Sequence, residues 1–303
     1  MPDVVHSSIH MFADNAKLFR EIKNQADCEE PQKDLCGLQE WSKEWLLRFN
    51  VTKCKRMHLG RKEAYHMCQR DEETALIETE CEKDLGVYVD NELKFSGHCE
   101  KKVNQANKLL GLIRRSFRYR DGPSLVTISK SEVLPHLEYC RPVWSPRNAR
   151  DCQLVENVQR RATRLVPTLR HLSYPERLER LNLPSLYHRR ARGGLVEVYK
   201  HLRGHYSVEC PYLELADARP TRGHSSRLKK PQVQKIVRAN FFGVRVVNSW
   251  NNLPESVDTA LSVSSFKTRL DQHWSGFRYI QELVHAQYLL TVHDRDVTDR
   301  PGG

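Results

Sequence analysis

An aspartate and an asparagine stand side by side near the start of the chain, in the sequence Phe12-Ala13-Asp14-Asn15. Both residue types favour tight turns, and apolar residues flank them, so residues 8–19 predict a β-hairpin. Carboxylates on such a tip can hold divalent cations. Enzymes that join nucleotides use two of these cations, one for the attacking oxygen and one for the leaving phosphate. Four residues alone fit a purely structural turn equally well.

Cations are concentrated between residues 99 and 120, which contain seven Lys or Arg and one acid, Glu100. The apolar residues of this stretch recur every three or four positions, which predicts an amphipathic helix. They are Val103, Ala106, Leu110, Ile113 and Phe117. Lys101, Lys108 and Arg115 recur every seven positions, so they share the opposite face. One side of this helix is predicted to pack and the other to be cationic.

A second helix, predicted from Asp151 to Val166, repeats this design and carries its arginines on or near the outer side. Phosphate contacts need only Lys and Arg, so the two basic faces are candidates for binding nucleic acid. The candidate residues are Lys101, Lys108, Arg114, Arg115, Arg118, Arg160, Arg161 and Arg164. A formal net charge of +11 agrees with a polyanionic partner, although a basic soluble protein without one is compatible with the charge alone.

Nine cysteines are scattered singly through the 303 residues, without the close pairs that a structural zinc site uses. This pattern is typical of reduced intracellular thiols. No apolar run approaches the roughly 20 residues that span a bilayer. We therefore expect an intracellular protein, nuclear or cytoplasmic and not secreted, with no zinc site and no membrane partner.

The elements predicted around these residues define an α+β chain. A helix from Asp27 to about Arg48, capped by Asp27 and Glu30, follows the hairpin, and strands are predicted at Met57–Gly60 and Leu85–Val89. Helical patterns dominate after residue 96. They include a short helix capped by Ser173 and Glu176, and a longer one that Gly193-Gly194 weakens or breaks. Five regions are predicted: 1–95, 96–203, a basic loop or linker at 204–232, an aromatic-rich unit at 233–277, and a tail at 278–303.

The order of several motifs resembles the C-terminal part of a reverse transcriptase of non-LTR retrotransposons of the jockey and chicken-repeat type. Phe12–Asn15 resembles the catalytic hairpin of this family, and Trp45–Asn50 with Lys53–Lys55 resembles the motif that closes its palm. Glu82–Val87, including Leu85, Gly86 and Val87, is similar to the primer grip. The basic helix after residue 99 lies where the thumb begins. Later landmarks are 135–139, 143–144, 156–162, 181–184 and 245–254, so the resemblance covers about residues 8–275.

This resemblance implies an incomplete reverse-transcriptase palm, made of short β-hairpins and one helix, followed by a mainly α-helical thumb and C-terminal region. It implies Mg²⁺ as the cofactor, with Asp14 as a metal ligand. Asn15 replaces a family aspartate, and an amide brings no negative charge to a cation. The family's other essential carboxylate precedes the hairpin, whereas 11 residues precede Phe12 here.

These departures predict that the isolated chain does not polymerise DNA. The expected remaining activity is binding of an RNA/DNA primer-template hybrid or other nucleic acid, without a small-molecule substrate. Two alternatives stay open from the sequence: a decayed transposon copy with no selected function, and a fragment of a longer active polymerase.

Overall fold

The computed structural model describes residues 4–60, 76–146, 148–207, 210, 212–216 and 224–279. The chain is α+β, as predicted, and divides into two compact units. The first comprises Met1–Asp84 and Val89–Leu93, and the second comprises Leu85–Tyr88 and Lys94–Gly303. None of the helices in the described ranges combines the length and apolar character that a membrane span requires.

The predicted hairpin of the first unit is confirmed. Strand β1 (Ser8–Phe12) pairs antiparallel with β2 (Asn15–Phe19), and Phe12 lies opposite Asn15. Ala13 and Asp14 therefore form the two-residue loop, in which Ala13 adopts a left-handed φ of 51°. Most side chains of the hairpin are exposed, so it presents Asp14 to solvent without a packed surrounding.

Helix α1 (Gln25–Glu44) begins and ends earlier than its sequence pattern predicted. Its capping box joins Asn24 and Asp27 instead of Asp27 and Glu30, because Asn24 is itself a strong N-cap residue with an acid three positions later. Leu46 ends the helix by taking a positive φ of 56°. Trp45, which the predicted helix included, lies just beyond its end and is 61% exposed.

Strands β3 (Lys55–Arg56) and β4 (Ile77–Glu78) pair in parallel, so the strand predicted at Met57–Gly60 is wrong. Gly60 instead turns the chain with a φ of 101°, and its N–H donates to the Asn91 carbonyl. Strands β5 (Cys81–Asp84) and β6 (Val87–Asp90) form the next two-stranded sheet. The strand predicted from Leu85 therefore begins two residues late, after a turn.

The second unit begins with two basic helices, α2 (Ser96–Ser116) and α5 (Ala149–Thr163). Between them lie α3 (Gly122–Ile128), a π-helical turn at Ser129–Val133 and α4 (Leu134–Glu138). The first core of this unit joins these helices to Leu186, at the start of a later helix. Its buried members include Val103, Ala106, Leu110, Ile113, Leu137, Val155, Val158, Ala162 and Leu186.

The first turns of α2 and α5 are bonded to each other. The Ser96 hydroxyl donates to Asp151 at 2.6 Å, and Arg150 pairs with Glu100 at 3.0 Å. Asp151 is buried, so the first of these bonds holds the N-terminal ends of the two helices together. Most of the candidate cations lie toward or just beyond the C-terminal ends of these helices.

Helices α6 (Tyr174–Arg180) and α7 (Leu186–Leu202) follow. The capping box of Ser173 and Glu176 is confirmed. Gly193-Gly194 does not break the helix, since α7 runs through both residues. A Cβ on Gly193 would lie 2.7 Å from Arg141 Nη2, so glycine here lets Arg141 cross the helix and donate to the Arg189 carbonyl at 2.9 Å.

The second core packs the C-terminal half of α7 against short helices near the end of the described chain. These are α8 (Ile236–Ala239), α9 (Phe242–Arg245), α10 (Val247–Asn251), α11 (Glu255–Asp258) and α12 (Val263–His273). Trp250 and Phe266 are fully buried there, against Tyr199 of α7. Residues 204–232 form the predicted loop wherever they are described, with one bridge between Leu215 and Leu228, and Arg219 and Arg222 lie outside the described residues.

Candidate nucleic-acid interface

The apolar stripe of α2 is buried as predicted, which leaves its cations facing solvent. Val103, Ala106, Leu110 and Ile113 are at most 6% exposed, whereas Lys101, Lys108 and Arg115 are exposed. Phe117, which was predicted to belong to this buried stripe, does not. It lies just beyond the helix in extended backbone (φ −103°, ψ 112°) and is 44% exposed, because α2 ends at Ser116.

Lys101 differs from the other exposed cations of α2 because it already has an aromatic partner. Its Nζ lies 3.5 Å from the centroid of the Tyr88 ring. The Tyr88 N–H in turn donates to Nδ1 of His98, which is buried in the first turn of α2. Burial and the nearby Lys102 and Lys101 lower the pKa of His98 to about 4, so this imidazole is a neutral acceptor. Lys101 therefore has a packing role that sequence periodicity did not reveal.

Four other cations of this region are exposed and lack an acidic partner among the described residues: Lys108, Arg114, Arg115 and Arg118. Two of them have a structural explanation, since Arg114 and Arg115 occupy the last turn of α2, where cations stabilise the negative end of the helix dipole. Lys108 lies mid-helix and Arg118 lies beyond the helix, so the dipole does not account for either.

The arginines of α5 form a second basic surface. Asn157, Arg160, Arg161 and Arg164 line an open groove along this helix. Arg161 and Arg164 are exposed, while the guanidinium of Arg160 lies 4.7 Å from the Tyr174 ring centroid. At 1.5 Å per residue from the bonded pair Ser96 and Asp151, Lys108 and Arg161 lie about 18 and 15 Å along their helices.

A buried arginine adds positive charge behind this groove. Arg177 is 2% exposed, and it donates to Thr163 Oγ1 at 3.0 Å and to the Leu172 carbonyl at 2.6 Å. Burial lowers the pKa of Arg177 below its usual range, and the charges of Arg164 and Arg160 lower it further. These partners are neutral oxygens, so they satisfy hydrogen bonds without cancelling the charge. An anion in the groove would therefore be attracted by the charge of Arg177 as well as by those of the arginines that line the groove.

Neighbouring polar residues of α5 are structural. Glu156 is buried and accepts from the Tyr174 hydroxyl at 2.6 Å and from the backbone N–H groups of Leu186 and Tyr187 at 3.2 Å. It thereby caps the first turn of α7. Burial and the Glu156 charge together raise the pKa of Tyr174. Gln159 donates to the Pro184 carbonyl at 2.9 Å, which ties the α6–α7 connection to the same helix.

The residues at 245–254 are structural as well. Arg245 donates to the carbonyls of Arg141, Pro142 and Asn240, and burial lowers its pKa to about 10. Asn251 exchanges two hydrogen bonds of 2.8 Å with the backbone of Leu228. These contacts attach distant segments to the second core.

The segment that resembles a primer grip is a tight turn. Leu85 and Gly86 have φ values of 42° and 85°, as in a type I′ turn, while Val87 is buried at the start of β6. The Tyr139 hydroxyl donates to the Leu85 carbonyl at 2.8 Å, and a Cβ on Gly86 would lie 3.1 Å from the Tyr139 ring. Sequence reasoning singled out both segments but not this contact between them.

Asp14 and Asn15 lie exposed on the hairpin, where the Asn15 amide donates to Asp14 at 3.3 Å. Asp84, also in this unit, is paired with Lys17. Within the described ranges, no three His, Cys, Asp or Glu side chains are grouped closely enough to hold a metal ion. One carboxylate beside an amide does not fit a site for two magnesium ions, which draws several carboxylates together.

Comparison with known proteins identified no relative of this chain. No family model, no curated protein and no solved structure matches this chain. The likeness to reverse transcriptases therefore stands on the ordered sequence motifs alone.

Proposed function

We propose that this chain is a nucleic-acid-binding protein of the non-LTR retrotransposon reverse transcriptase type, which does not polymerise DNA by itself. One observation carries the proposal. Exposed cations without acidic partners in the described structure, among them Lys108, Arg115, Arg161 and Arg164, lie on or at the end of two helices whose first turns are bonded to each other.

An ordinary solvated helix face differs from this surface in its charge pattern. Such faces mix both signs, and pairs spaced three or four residues apart stabilise the helix. The acid of α2 is Glu100, and Arg150 of α5 already pairs with it. The remaining cations of α2 repel one another unless an external anion neutralises them. A polyanion is the partner that removes this repulsion.

The dimensions of α2 suit a duplex backbone. Lys101 and Arg115 are 14 residues apart, or about 21 Å along the helix. The row is therefore long enough to contact more than one phosphate. Phosphates carry no base identity, so the expected ligand is a primer-template hybrid or other duplex bound independently of sequence.

The side chains at the tip of the hairpin do not supply the metal ligands that catalysis would need. Asp14 supplies one carboxylate, and Asn15 directs an amide N–H toward it. If bound, Mg²⁺ would supply charge neutralisation for phosphoryl transfer, but these two side chains do not hold a metal pair.

The test is a titration of a fluorescein-labelled RNA/DNA primer-template hybrid with the purified chain, followed by anisotropy at several salt concentrations. We expect affinity to fall linearly with salt on logarithmic axes, and to be the same for hybrids of unrelated sequence. Absence of binding at low salt would overturn the proposal and leave a decayed copy without selected function as the better explanation.

A further inference from the structure

The four residues that follow α2 alternate aromatic and cationic side chains: Phe117, Arg118, Tyr119 and Arg120. Tyr119 is 83% exposed, the most exposed aromatic ring in the described structure. An exposed tyrosine is common on protein surfaces and needs no explanation alone. Its surroundings distinguish this one, because exposed arginines flank it on α2 and in the connecting segment.

This segment is held at both ends. Arg120 Nη1 donates to the Arg114 carbonyl at 2.9 Å, which closes the end of α2. Asp121 then caps α3 by accepting from the Ser124 N–H at 3.2 Å. Hydrogen bonds from Ser124 lower the pKa of Asp121, so the nearest acid is ionised and directed into the next helix. Tyr119 therefore lies on a short connection whose two ends are fixed by α2 and α3.

We propose that Tyr119, with Phe117 beside it, is a stacking platform for an unpaired nucleobase. This inference rests on the proposed function and adds a ligand class to it, a single-stranded segment next to the duplex on α2. Exposed aromatic rings beside a cationic backbone track are the chemistry that binds single strands, because every base has a π face. Arg115 and Arg118 are exposed on either side of Phe117 and are placed to engage the flanking phosphates.

Charge complementarity selects nucleic acid as the occupant over an apolar partner. The patch joins aromatic rings to arginines in a stretch whose one acid, Asp121, is engaged as a helix cap. An acidic protein surface would engage the arginines but would not require the face of Tyr119. The two partners therefore differ in how strongly binding depends on this ring.

The experiment compares Tyr119→Ala and Tyr119→Phe with the wild-type chain. The probes are fluorescein-labelled oligothymidylate and an abasic oligonucleotide of the same length, which keeps the phosphates and lacks bases. Trp45→Ala is the control, since Trp45 is an exposed aromatic residue beside Glu44 at the end of α1. Affinity is measured by anisotropy at one fixed low salt concentration.

We expect Tyr119→Ala to weaken oligothymidylate binding by roughly fivefold to 150-fold, the range for loss of one stacked base. Binding of the abasic strand should be unchanged. Tyr119→Phe should retain wild-type affinity because it keeps the ring, and Trp45→Ala should behave like wild type.

Unchanged oligothymidylate affinity in Tyr119→Ala would overturn this inference, as would an equal loss on the abasic strand. If the wild-type chain binds duplex with salt dependence but ignores oligothymidylate, the stacking platform is refuted and the proposed function stands. Failure of the wild-type chain to bind any of these nucleic acids would refute the proposed function itself.

Discussion

Replacing Lys108 and Arg115 together by alanine tests whether the exposed cations of α2 contact phosphates. Each contact that is lost removes about 0.9 from the slope of log affinity against log salt, so the double variant should flatten the slope by about 1.8. Lys101→Ala should change the slope less than either substitution, because its ammonium lies on the Tyr88 ring. It should instead cost about 0.5–1 kcal/mol of stability through the lost cation–π contact.

The assay is anisotropy of the labelled hybrid across a salt series, with Lys23→Ala/Lys33→Ala as the charge-matched control. Lys23 and Lys33 are exposed, and each is paired with an acid. The control removes the same net charge and should leave the slope near the wild-type value. An unchanged slope in the Lys108/Arg115 variant, or an equal change in the control, would refute the assignment of these residues to a phosphate-binding face.

Three further predictions concern the core and the hairpin. Glu156→Ala should destabilise the chain by about 3 kcal/mol in denaturant unfolding, because three donors lose their hydrogen-bond acceptor. Glu156→Gln should cost less stability. Equal stability of Glu156→Ala and wild type would contradict the capping role of Glu156. The pKa of His98 is about 4 in the folded chain against an ordinary 6.5, so the unfolded chain binds more protons between these two pH values. The contribution of His98 to stability should therefore be complete above pH 6.5 and decrease toward pH 4. The stability of His98→Asn should decrease less steeply over the same range. Asn15→Asp should not produce primer extension with Mg²⁺ or Mn²⁺, since no third ligand is grouped with this pair in the described chain; template-dependent incorporation by homogeneous protein would refute this.

The sequence predictions that are confirmed depend on interactions between residues close together in the chain. The hairpin over residues 8–19, the buried stripe of α2 and the Ser173–Glu176 capping box each depend on residues a few positions apart. Competition between local signals explains the errors at element ends. Asn24 outcompetes Asp27 as the N-cap of α1, and a turn at Leu85 displaces the start of a predicted strand.

Long-range contacts were beyond the reach of sequence patterns. Gly193 was expected to weaken α7 because its helix propensity is low, but Arg141, 52 positions earlier in the chain, uses the space that it leaves. In the candidate interface, too, periodicity predicted which residues share a face but not their long-range contacts. Periodicity placed Lys101 and Lys108 on one face, whereas the contact of Lys101 with Tyr88 depends on how β6 meets α2. Sequence patterns placed Arg161 and Arg164 on or near the outer side of α5, whereas the groove that they line and the buried charge of Arg177 were not predicted.

Chemical footprinting of Lys108 tests the central claim most directly, because this lysine is exposed, lies mid-helix and has no acidic partner in the described structure. The chain is acetylated briefly with and without the bound primer-template hybrid, and modification of each lysine is quantified by mass spectrometry. We expect the hybrid to protect Lys108 strongly and to leave Lys33 on α1 unprotected. Equal acetylation of Lys108 in the free and bound protein would contradict binding of nucleic acid along α2.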